Sequence, residues 1–171
     1  LSKLGFWQEC LDLSTEALEN VEKPHYSNDV WFSRRLTLAK KNLGNTEDTI
    51  KELEKLLQRK REWFIQKELA ELYLEDGQTE KAFRLGIDAM NNFGPIEFKV
   101  HLLFLIGKIL NLKGDKEMAF KHFSLSKMIR ESGEWKIPQA LFNELNAFNQ
   151  NAIPLPDMKK LQNELQNFWN S

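Results

Sequence analysis

Residues 67–90 read KELAELYLEDGQTEKAFRLGIDAM. Two segments with apolar residues at helical spacing flank Asp76-Gly77. Small residues, Ala70, Ala82, Gly86 and Ala89, recur where a helix in a chain with 12 Phe and 5 Trp would be expected to carry something larger. Two helices can cross closely only where a side chain is nearly absent, with large residues filling the gaps on either side. Gly77 stands where a left-handed residue closes a helix. Thr79 and Glu80 then supply the capping and acidic first turn of the next one. The stretch therefore predicts helix, tight turn, helix.

The same punctuation recurs along the chain. Gly5, Gly44, Gly77 and Gly114 follow one another at steps of 39, 33 and 37 residues. After the last three come polar starts and new apolar periods: NTEDTIKELEKLL (45–57), QTEKAFRLGIDAM (78–90) and DKEMAFKHFSLSKMI (115–129). Before them lie WFSRRLTLAKKNL, WFIQKELAELYLED and FKVHLLFLIGKILNL, each opened by an aromatic, at Trp31, Trp63 and Phe98. Trp135 opens a further run, EWKIPQALFNELNAF. A fixed period in the mid-thirties marks a helical solenoid. No alternating apolar pattern bounded by turns is present, so no sheet is predicted. The expected units are a partial repeat (1–24), three repeats (29–61, 62–96, 97–132) and terminal and capping helices (134–171), about nine helices in all. Asp157 caps the last, and Leu161, Leu165 and Phe168 form its apolar stripe.

This pattern resembles the tetratricopeptide repeat, TPR, a motif of about 34 residues. Counted from Trp63, the motif's large and small positions fall on Leu69, Ala70, Tyr73, Gly77, Ala82 and Ala89, with Gly86 where an aromatic is usual. Counted from Val100 they fall on Ile106, Gly107, Leu110, Gly114, Ala119 and Phe123, with Ser126 in place of Ala. From Val30 the match is weaker, with Thr37 and Thr49 at the two small positions. The resemblance implies an all-α, right-handed superhelix in which Ala70 meets Ala82 and Gly107 meets Ala119. It also implies a scaffold that binds a peptide or protein segment on its concave face. The residues there would be Trp31, Arg34, Leu38 and Lys41; Phe64, Lys67, Glu71 and Leu74; and His101, Phe104, Lys108 and Asn111. Such a groove, basic and aromatic more than acidic, suits a segment carrying acid and apolar side chains. The carboxylate-gripping subclass that binds chaperone tails needs Lys and Asn at positions occupied here by Arg34, Leu38, Glu68, His101 and Leu105. Membership of that subclass is not expected.

Composition narrows the classes of function. With 24 basic and 25 acidic residues the net charge is near zero, which argues against a general nucleic-acid binder. The best basic run, Arg59 to Arg61, reads as cations at a helix end. Cys10 is the single cysteine, which excludes an internal disulfide and reads as a small buried residue. VHLLFLIGKILNL is too short to span a membrane. No phosphate loop, HExxH, CxxC or Gly-x-Ser-x-Gly occurs. His25, His101 and His122 are far apart in sequence. His101 and His122 could face each other in one repeat, but without a further ligand they make a poor zinc site. Neither catalysis, a metal nor a cofactor is expected. The chain begins mid-pattern at Leu1 and reads as a piece of a longer, cytoplasmic protein. Two alternatives to the scaffold remain. One is a structural arm that orders neighbouring domains or self-associates through its exposed N-terminal end. The other is an accessory nucleic-acid module, which needs Arg34, Arg35, Lys40, Lys41 and the Arg59 to Arg61 run on one face.

Overall fold

The computed structural model describes residues 46–148 and 153–171. These residues form an all-α structure of seven helices, with no strand among them. In order they are α1 (Thr46–Arg59), α2 (Trp63–Glu75), α3 (Thr79–Asn91), α4 (Val100–Lys113), α5 (Lys116–Ser132), α6 (Gln139–Asn146) and α7 (Met158–Asn170). A 3-10 turn, Ile96–Lys99, leads into α4. The helices expected before Thr46, the partial repeat 1–24 and Cys10 lie outside the described residues.

The α2–α3 and α4–α5 pairs are built alike. Gly77 and Gly114 adopt left-handed backbone, with φ of 79° and 91°. In the first pair the amide of Gln78 donates to the carbonyl of Tyr73 at 2.8 Å; in the second, Asp115 donates to Leu110 at 3.0 Å. This is the same six-residue closure, satisfying helix-end carbonyls that would otherwise be orphaned. Asp115 also caps α5 by accepting from the Met118 amide. At α3 the capping position is Gln78, not Thr79, and no side chain caps it.

Small residues sit at the close approaches. Ala70, Ala82, Ala89 and Ala119 are fully buried. A methyl on Gly107 would meet the Phe123 ring at 2.6 Å. The expected contact of Gly107 with Ala119 is thus replaced at its tightest point by an aromatic lid. At the equivalent lid position of the previous unit stands Gly86, whose added methyl would lie 3.3 Å from Ile106 of α4. One unit fills this position from within, and the other leaves room for its neighbour. Ser126, the departure from Ala in the later unit, is buried and donates to the carbonyl of Val100 at 3.0 Å.

Two apolar clusters carry the packing. Ile50, Leu53 and Leu56 of α1 join Ile65, Leu69 and Leu72 of α2. The larger core runs from α2 to α7. Helix α7 is capped by Asp157, which accepts from the Lys160 amide at 2.9 Å. It covers α3 and α5 with Leu161, Leu165, Phe168 and Trp169. Trp169, which the stripe reading omitted, is the more buried of its two aromatics. The α3–α4 connection is held by Lys99, whose buried ammonium donates to the carbonyls of Met90 (3.0 Å) and Asn92 (2.5 Å). Its burial lowers the lysine's affinity for a proton.

Two helix starts differ from the sequence reading. Phe98 opens no helix; it lies in the 3-10 turn and is 64% exposed. Trp135 likewise precedes its helix. Pro138 is extended and stands at the cap of α6, which begins at Gln139. The Trp135 ring instead lies against the α-carbon of Gly133.

Candidate binding groove

Between Val100 and Asn111 only His101, Phe104, Lys108 and Asn111 are not buried. On α2, Phe64, Lys67, Glu71 and Leu74 are half-buried, whereas Ile65, Gln66, Glu68, Leu69, Ala70 and Leu72 are buried. The residues expected to line a groove thus occupy the open stripes of α2 and α4. Arg34, Leu38 and Lys41 lie outside the described residues.

The two stripes act on each other. Lys67 pairs with Glu71 at 3.0 Å and stands 3.6 Å from Glu68. His101 is held below the ordinary histidine range, first by desolvation, then by the charges of Lys67 and Arg130, with Glu68 opposing. His101 is therefore neutral at pH 7. Lys108 lies over the Phe104 ring, 5.6 Å from its centroid, and Phe104 packs on Phe123. Asn111 is committed elsewhere: its side chain and carbonyl both receive the Lys116 ammonium at the α4–α5 turn.

Beside His101 the stripe opens into a cavity of about 230 Å³ between α4, α5 and α6. Phe104, Pro138, Ala140 and Leu141 make its apolar walls, and Ser126 and Arg130 also line it. The sequence reading missed Arg130, because a basic residue in a helix's last turn looks like a complement to the helix dipole. A larger hollow, about 430 Å³, lies among α1, α2 and α3. Its polar groups are mostly matched: Arg61 faces Asp88 at 3.7 Å, and Tyr73 donates to Glu54 at 2.6 Å. Burial and Glu54 push the Tyr73 hydroxyl up to about 12.

The two later histidines do not face each other. His122 is fully buried on the opposite side, under α7. Its Nδ1–H donates to the Met118 carbonyl (2.7 Å), and its Nε2 accepts from the Trp169 indole N–H (2.9 Å). These partners fix one neutral tautomer. Among the described residues no three His, Cys, Asp or Glu side chains are grouped to hold a metal, and no helix is long and apolar enough to cross a membrane. No protein-family model, curated protein or solved structure matches the chain.

Proposed function

We propose that this chain is a TPR-like protein-interaction scaffold that binds a peptide or protein segment along the groove of α2, α4 and α6. The observation that carries the reading is the stripe on α4. From Val100 to Asn111 an otherwise buried helix keeps a histidine, a phenylalanine and a lysine open in one line, beside an apolar-walled cavity of about 230 Å³. Packing alone does not call for that combination. An amphipathic or extended segment laid in such a groove would gain apolar contact at Phe104 and charge contact at Lys108 and Lys67. Peptide display against the whole chain tests the reading. Families of related peptides should be retained, and Lys108→Glu should weaken them severalfold, as expected of a rim charge. If display returns nothing, the groove reading fails. The structural-arm reading would then gain from a concentration-dependent mass in sedimentation equilibrium.

A further inference from the structure

Arg130 is the buried side chain that the fold explains least. It lies in the last turn of α5 with 8% of its surface exposed. A helix C-terminus favours a cation, and Nη1 donates to the Lys136 carbonyl at 3.1 Å. The remaining donors are poorly matched. Among the described residues Nη2 has only His101 Nδ1, at 3.5 Å, a long contact. Nε is buried and has no partner among the described residues. No carboxylate among the described residues pairs with the guanidinium. A buried charge left without its counter-charge is costly, and proteins ordinarily avoid it.

The unmatched edge has a definite shape. Nε and Nη2 form the side fork of a guanidinium, whose two parallel N–H groups match the two oxygens of a carboxylate. The same side chain lines the cavity walled by Phe104, Pro138 and Leu141. A short hydrocarbon stem ending in a carboxylate fits this combination. A phosphate backbone fits it poorly, because the walls are apolar and the lining offers one permanent cation.

We propose that this cavity is the subsite in which the groove takes a glutamate side chain of the bound protein segment, its methylenes against Phe104 and Leu141 and its carboxylate on the Nε–Nη2 edge of Arg130. The proposal rests on the groove reading above. Entry displaces the long His101 contact, and the guanidinium turns to present its edge. His101 thus acts as a weak placeholder.

Peptide display on the whole chain, on Arg130→Gln and on His101→Glu tests it. Peptides held by the wild type should share a glutamate. Replacing it by glutamine should weaken binding about thirtyfold or more, the usual consequence of breaking a desolvated charge pair. Arg130→Gln should cost a similar factor, and the two changes together should cost little more than one. His101→Glu places a carboxylate of the chain's own beside Nη2, so it should abolish the glutamate preference while keeping the fold. Retained peptides with no acidic preference, or a preference that survives both variants, overturn the subsite and leave the groove reading standing. No retained peptide overturns both. An independent readout uses the unaltered protein: the Arg130 Nε–H NMR signal should shift with butyrate and not with butyramide. No shift, or an equal shift with both, overturns the proposal.

Discussion

Gly107 and Gly86 are both buried helical glycines, yet they should respond oppositely to the same change. An alanine at Gly107 would drive its methyl to 2.6 Å from the Phe123 ring, which Phe104 and Phe148 hold from two other sides. Overpacking should outweigh the helix-propensity gain, and Gly107→Ala should lose about 2 kcal/mol in urea unfolding. At Gly86 the methyl meets Ile106 at 3.3 Å, a side chain that can yield slightly. The gain of about 1 kcal/mol in helix propensity should nearly cancel the cost, leaving Gly86→Ala close to neutral. His122 gives a second residue-scale test. Desolvation lowers it from 6.5 to about 4, against the weaker pull of the Met118 carbonyl and Asp115. As pH falls below 6.5 the unfolded chain takes up a proton that the folded chain refuses until about 4. Stability therefore drops across that window, by up to about 3 kcal/mol. Unfolding titrations between pH 7 and 4 should show a smaller drop in His122→Gln than in the wild type. Equal drops would mean that other groups cause it.

At the scale of elements, the turns carry the lesson. The α5 end closes like the two glycine turns, with the Trp135 amide donating to the Arg130 carbonyl at 2.8 Å. Its left-handed residue, however, is Glu134, with φ of 58°. Glycine stands one position early, at Gly133, where the Trp135 ring leaves no room for a side chain. Glu134→Gly should relieve the left-handed strain and raise stability by about 0.5–1 kcal/mol. Asp157→Ala should lower it by about 1 kcal/mol through loss of the α7 cap. A rise in thermal midpoint for the first and a fall for the second would check both. The helical hairpins were legible in the sequence because Gly77 and Gly114 combine a turn requirement with a period. The start of α6 was not, because Trp135 repeats the aromatic signal of Trp63 while the chain there is still finishing the α5 turn. Phe98 misled in the same way: it matches the pattern by spacing, but the 3-10 turn that feeds α4 leaves it outside the helix.

For the whole molecule, the TPR resemblance implied which positions of α2 and α4 stay open, and the residues at those positions are the ones left unburied. The chemistry of the cavity was not legible in the same way. Arg130, Pro138 and Leu141 come from the end of one helix, a connection and the next helix, and only packing brings them beside Phe104. Nor could spacing separate His101 from His122, which lie on opposite sides of the α4–α5 layer. The proposed working surface of this protein is the open face of α2, α4 and α6. Amide hydrogen exchange, with and without a peptide recovered by display, tests it most directly. Slowed exchange is expected on α2, α4 and the start of α6, with α3 and α7 unchanged. Slowing on α3 and α7, with the α4 stripe unaffected, would contradict it and move the binding surface to the other side of the array.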